Sequence, residues 1–185
     1  MGKMVKYIDG NLVEYEILPL VDKHDSILRI PTEEFNFENP QMSPGYVGMS
    51  LIETMQKKGG MGLSANQVGL PYRVCAINMG KENWVMFNPR ITFKSAIRST
   101  LKEGCLSYPG LFLTIGRAEF VTVEFQALNG QKIVRSFEGI VSTCVQHEID
   151  HLDGIFYTQL VSPIVLEREK GKIKKTLKAM QRAMA

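Results

Sequence analysis

Apolar residues recur along this chain at two different spacings, and the switches between them mark out its elements. Gly48, Leu51, Ile52 and Met55 fall at three- and four-residue steps, the buried stripe of a helix. Ser43-Pro44 supplies its start, an N-cap residue followed by proline at the first helical position. Gly59-Gly60 ends it, behind Lys57 and Lys58 at the negative end of the helix dipole. A strand-like spacing then takes over, in Tyr72 to Asn78, Trp84 to Phe87 and Ile91 to Phe93. Arg117 to Ala127 reads as a further strand, and Asn129-Gly130 as a hairpin turn into the strand Lys132 to Phe137. Helical spacing returns near Glu138-Gly139, where Ile140, Val141, Cys144 and Val145 are expected to pack a second helix on those strands. A last helix is expected from about Pro163 to the C-terminus, weakened by roughly 1 kcal/mol at Gly171. Residues 1–42 show no period and read as irregular, with Leu28-Arg29-Ile30-Pro31 a short extended piece and Glu38-Asn39-Pro40 a turn.

Composition narrows the class. The 185 residues, 44% hydrophobic and 22% charged, suit one soluble domain over residues 1–185, with no repeat or linker to mark a boundary. No apolar run approaches a membrane span, and the opening MGKMVKYIDG lacks the apolar core of a signal peptide. Lys6 also breaks the myristoylation pattern. Three irregularly spaced cysteines argue against a disulfide framework and for a reducing, cytoplasmic-type compartment. Charge is unevenly placed. Residues 166–185 hold seven Lys/Arg and two Glu, a net of +5, so the remaining 165 residues carry −2 of the total of +3. A weakly acidic body with a basic tail is not the profile of a specific DNA binder.

The chemistry concentrates in Gln146-His147-Glu148-Ile149-Asp150-His151. Two histidines four apart lie on one helix face, so both rings can reach one metal ion, with Glu148 beside them as a general base. Two of the chain's three histidines are here. A third ligand must come from another direction. Cys144 lies three residues before His147 and seven before His151, a span of about 10 Å of helix axis. That is too long for a thiolate at bonding distance, so Cys144 reads as a residue lining a pocket floor. Cys75 reads as core. Cys105, in Glu103-Gly104-Cys105-Leu106-Ser107 ahead of the expected turn Pro109-Gly110, could close a Cys/His/His site with one position left open, as a hydrolase needs. The run Gly60-Met61-Gly62-Leu63-Ser64-Ala65-Asn66-Gln67 is either a flexible connection or a ligand-approach loop, in which Gln67 offers a donor that does not titrate.

Taken together and in order, the Gly60–Gln67 run, Glu103–Ser107 and Gln146–His151 resemble the three motifs of the peptide deformylases. These enzymes remove the formyl group from the initiating N-formylmethionine of new proteins. The resemblance runs over roughly residues 44–178. It departs at Ser64, commonly alanine, at Ala118, often proline, and in Asn39-Pro40-Gln41-Met42, and neither Ser64 nor Ala118 is expected to touch a catalytic role. It implies that Cys105, His147 and His151 hold one divalent metal, usually Fe(II), with zinc, nickel and cobalt also accepted. It implies that Glu148 moves the proton, and that the Gln67 side-chain amide and the Leu106 backbone N–H receive the developing oxyanion. Gly60 and Gly62 would line the peptide site, with Met61, Ile140 and Cys144 as candidates for the methionine pocket and simple core as the alternative for Met61. Glu103 would pair with Arg117 to hold the Cys105 segment. Nascent N-formylmethionyl peptides are then the expected partners.

The fold expected is α+β: antiparallel strands packed around a central metal-binding helix, with one helix before it and one after. Two rival readings keep the histidine pair but change the role. One is a metalloprotease with Glu167 or Glu169 as third ligand, although Glu167-Arg168-Glu169-Lys170 reads as a solvated helix face. The other is a non-catalytic metal-binding relative. The tail carries Lys170, Lys174, Lys178 and Arg182 at four-residue steps, a stripe expected either to dock on the ribosome or to be solvated while Val165, Ile173 and Leu177 pack inward.

Overall fold

The computed structural model describes residues 3–8 and 11–183, with side chains described as far as Thr176 in the last helix. Strands β1 (Met4–Ile8) and β2 (Asn11–Tyr15) pair antiparallel and lie against helix α1 (Pro44–Lys57). After α1 the chain enters the short strand β3 (Gly62–Ser64), then β4 (Val74–Asn78) and β5 (Asn83–Lys94). Strands β6 (Arg98–Cys105) and β7 (Tyr108–Ala118) form a hairpin of their own. Strands β8 (Phe120–Gln126) and β9 (Lys132–Glu138) complete an antiparallel sheet of order β3-β4-β5-β8-β9. Helices α2 (Gly139–Leu152) and α3 (Pro163–Ala183) end the chain.

Strand β4 is buried on both faces because its alternate residues serve two cores. Val74 and Ala76 join Val47, Leu51 and Met55 of α1. Cys75 and Ile77 join Val145, Ile149 and Leu152 of α2, with Val121, Val123 and Phe125 of β8. A third cluster packs Leu111, Leu113 and Ile115 of β7 with Phe156 and Tyr157, and takes in Leu166 and Ile173 of α3. Helix α2 thus lies between the large sheet and the β6–β7 hairpin, the central position expected of it. No described helix is long and apolar enough to cross a membrane.

Several expectations need correction. Residues 1–42 are not irregular throughout, since they hold β1, β2 and a 3-10 turn over Ser26–Arg29 in place of an extended piece at Leu28. The strand over Arg117–Ala127 is two strands, for Arg117 closes β7 and β8 begins at Phe120. The separate runs at Trp84 and Ile91 are one strand, β5, interrupted by register shifts. Pro109-Gly110 lies inside β7, and the hairpin turns instead at Leu106-Ser107. Ile140 does not pack on the sheet; it is 58% exposed.

Candidate active site

Cys105 ends β6, and its segment reaches α2 because the β6–β7 hairpin folds back over that helix. There the ligand atoms of Cys105, His147 and His151 all lie within 4.8 Å of one another, with Cys105 Sγ 3.2 Å from His151 Nε2. His147 directs Nδ1 to Glu103 Oε2 at 2.9 Å, which leaves its Nε2 for an ion. Burial, and then the charge on His147, push His151 well below its ordinary range, toward the neutral form that binds metals. One soft thiolate and two imidazoles, buried and convergent, fit a tetrahedral divalent ion with one open position.

Behind these ligands stands a chain of charges. Arg117 donates Nε to Glu103 Oε1 at 2.7 Å and a second nitrogen to Glu103 Oε2 at 2.9 Å, and it also bonds Asp150. The expected Glu103–Arg117 pair is therefore present, and it extends at both ends, to His147 and to Asp150. Burial raises the Glu103 carboxyl, but the Arg117 hydrogen bond overrides it and the net shift is downward. Gln146 fastens the helix from the other side: its Nε2 donates to Ala118 O at 2.9 Å, and its Oε1 accepts from Ala118 N at 3.2 Å.

Glu148 is buried, and its Oε2 finds no hydrogen-bond partner among the described residues. Burial pushes its carboxyl up to about 7, with the charge of His147 countering. Gly62 backs directly onto it. A Cβ added at Gly62 would meet the Glu148 side chain and, at 2.8 Å, Cys144 Sγ. From Gly62 on, the Gly60–Gln67 run is thus a short strand and a buried 3-10 turn packed against α2, not a flexible connection. Gln67 is held by Ser64, whose backbone N–H and hydroxyl both donate to Oε1 at 3.0 Å. Because a backbone N–H is always a donor, the oxygen must face Ser64 and the amide nitrogen the site. That nitrogen lies 3.5 Å from Cys105 Sγ and 3.0 Å from Ser107 Oγ. Ser64, expected to have no part in the chemistry, is therefore what orients Gln67.

A cleft of about 510 Å³ opens beside these groups. Gly60, Met61, Gly62, Ile140 and Cys144 all line it, as do Gln67, Cys105, Leu106, His147 and Glu148. Met61 is 43% exposed, which sets aside its reading as simple core. The Cys144 thiol is pushed well above its ordinary range by burial and by the Glu148 carboxylate, consistent with a lining residue rather than a ligand. Glu167 and Glu169 instead pair with Lys170 and Lys172 on α3, outside the Cys/His/His cluster. Missed by the sequence reading were Asp150, Ser64, Ser107 and the Glu103–His147 contact. Asp150 was findable, since it follows His147 by three residues on the same helix.

Known proteins resemble this chain in sequence and in fold. The sequence profile of the family described as Polypeptide deformylase matches residues 17–167. The peptide deformylase of Desulforudis audaxviator is 34% identical over 154 residues, covering 83% of this chain and 99% of that protein. That of Neisseria meningitidis is 40% identical over 131 residues, covering 69% and 78%. Among solved structures, a peptide deformylase from Legionella pneumophila superposes with a TM-score of 0.79 at 30% identity, covering 90% of this chain and 99% of that one. A peptide deformylase from Synechococcus elongatus, solved in complex with actinonin, gives 0.76 at 29%, covering 84% and 85%. A profile match across most of the chain, relatives at these identities and a shared fold together show that the chain belongs to the polypeptide deformylase family.

Proposed function

We propose that this chain, acting as one catalytic domain, hydrolyses the formyl amide of N-formylmethionine at the start of new polypeptides, with Cys105, His147 and His151 holding the metal. The observation that carries the reading is the convergence of those three ligand atoms within 4.8 Å at the head of a cleft that also holds the buried carboxylate of Glu148. A divalent ion there would supply Lewis-acid chemistry, polarising the formyl oxygen and acidifying water. Iron(II) is the ion favoured by the family resemblance, and zinc, nickel or cobalt suit the same donor set.

The chain's own groups account for the remaining steps. Glu148, poised near neutrality, takes a proton from water and returns it to the leaving amine, as base and then acid. The Gln67 amide, turned toward the site by Ser64, donates to the oxygen on which charge develops. The Leu106 backbone N–H, in the hairpin turn just after Cys105, serves as the second donor. Glu103 holds the His147 ring by Nδ1 and is itself held by Arg117. Gly60 and Gly62 let a substrate backbone approach closely, while Met61, Ile140 and Cys144 offer apolar surface to the methionine side chain.

The substrate places the reaction where translation occurs, in cytoplasm or an organelle matrix, and the basic end of α3 is suited to dock on ribosomal phosphate. Anaerobic purification, metal analysis and a formyl-Met-peptide assay test the central reading. Glu148→Ala is expected to keep its metal and lose turnover, and Cys105→Ala to lose both. A Glu148→Ala protein that folds but no longer binds metal would overturn the role given to Glu148.

A further inference from the structure

Thr143 occupies an unusual position on α2. It lies four residues before His147, so the two side chains share one face of the helix. The residue is 5% exposed, yet its hydroxyl has no hydrogen-bond partner among the described residues. A helical threonine ordinarily satisfies its hydroxyl on a carbonyl three or four residues back, as Thr176 does here on Lys172 O at 3.1 Å. Its polar neighbours on α2 are also engaged: Ser142 donates to Ala118 O at 2.9 Å, and Gln146 bonds Ala118 and Ser142. Thr143 alone of the three is turned to the cleft, whose lining it shares with Leu101, Leu111, Ile140 and Cys144.

An unpaired buried hydroxyl among apolar groups is unfavourable, and a purely aliphatic side chain seated on it would seal it from water without giving it a partner. A methionine side chain differs in one respect, for its thioether sulfur is an acceptor, although a weak one. We propose that Thr143 is a specificity-determining residue, donating its hydroxyl to the thioether of the substrate's first side chain and so favouring formyl-methionine over an aliphatic residue of equal length. This inference rests on the deformylase reading above.

Norleucine replaces the sulfur of methionine by a methylene and is the probe. With the metal-loaded chain, formyl-Met and formyl-norleucine peptides are compared on the native protein, on Thr143→Val and on Thr143→Ser. A neutral hydrogen bond corresponds to a preference for methionine of about three- to tenfold in kcat/KM, carried mainly by KM. Thr143→Val is expected to abolish that preference by weakening the methionine substrate alone, and Thr143→Ser to retain it. Calorimetric binding of the deformylated Met- and norleucine-peptides should rank in the same way without turnover. Equal losses on both peptides, or no change on either, would overturn the inference. If the native chain cleaved neither peptide, the deformylase reading would fail by itself, and the binding comparison would still decide whether Thr143 senses sulfur.

Discussion

Single side chains here do work that composition could not reveal. Glu103 is the clearest case, since one carboxylate holds both nitrogens of the Arg117 fork and the Nδ1 of His147. Glu103→Gln removes the charge at near-constant volume. It is expected to lower stability by about 3–5 kcal/mol, as a buried pair broken on one side does, read from denaturant unfolding. Metal affinity should fall about 10–100-fold, because His147 loses its orienting partner. Gln67→Leu tests a different property. With one oxyanion donor gone, kcat should drop about 10²–10³-fold while binding of a product peptide changes little; equal losses in both would show that Gln67 positions the peptide instead. The histidine pair and Glu148 stood out by residue type and spacing, whereas Cys105 was one candidate among three cysteines until the three motifs were taken together. Ser64 was not read correctly, although Ser64-Ala65-Asn66-Gln67 has the serine and glutamine spacing of a capping box. In that pattern the Ser64 hydroxyl adds a hydrogen bond to Gln67 Oε1 that alanine there could not make.

Elements were legible where one face is buried and the other is wet. Helix α1 and the turn joining β8 to β9 came from periodicity and from Asn129-Gly130, and both stand where expected, although β8 itself begins only at Phe120. Elements failed to show where the pattern is broken by design. The gap between the Trp84 and Ile91 runs is Asn88-Pro89-Arg90, and it coincides with the register shift of β5 against β8. Asn88 there has a φ of 52°, and its side chain clamps Phe35 N at 2.7 Å, Phe35 O at 2.9 Å and Gln126 Oε1 at 2.8 Å. Asn88→Ala loses those bonds and places a less tolerant residue at positive φ, for an expected cost of about 1–3 kcal/mol. Asn88→Gly should cost less, because it relieves the backbone part. A smaller loss for alanine than for glycine would argue against strain at this bulge. The β6–β7 hairpin escaped notice because Pro109-Gly110 looked like the turn, whereas the reversal occurs at Leu106-Ser107. The β1–β2 pair was missed although Asp9-Gly10 is a hairpin sequence between alternating residues.

At the scale of the molecule, the basic tail is anchored over its first turns. Leu166 and Ile173 seat α3 on the β7 cluster, and Lys170 and Lys172 are paired with Glu167 and Glu169. The side chains of Leu177, Lys178 and Arg182 lie outside the described ones. A chain ending at Thr176 keeps both anchors and removes Lys178 and Arg182, and Lys174→Glu with Lys175→Glu would take residues 166–176 from a net charge of +3 to −1. If the tail is a ribosome address, this variant should cleave free formyl-Met peptides normally, sediment poorly with ribosomes and show a flatter salt dependence. Unchanged sedimentation at low salt would rule the address out. The insertion of the β6–β7 hairpin between β5 and β8 has one more consequence. Those two strands pair directly, with Lys94 opposite Val121, so the hairpin that carries Cys105 is an excursion from a sheet already closed without it. Such an excursion can open as a unit while the sheet stays shut. Without metal, amides of residues 98–118 should exchange with deuterium sooner than those of β4 and β8, and metal should slow that segment selectively. The ion would then act as a latch across a hinge of the native state, and its loss would unclasp one arm well before the protein unfolds.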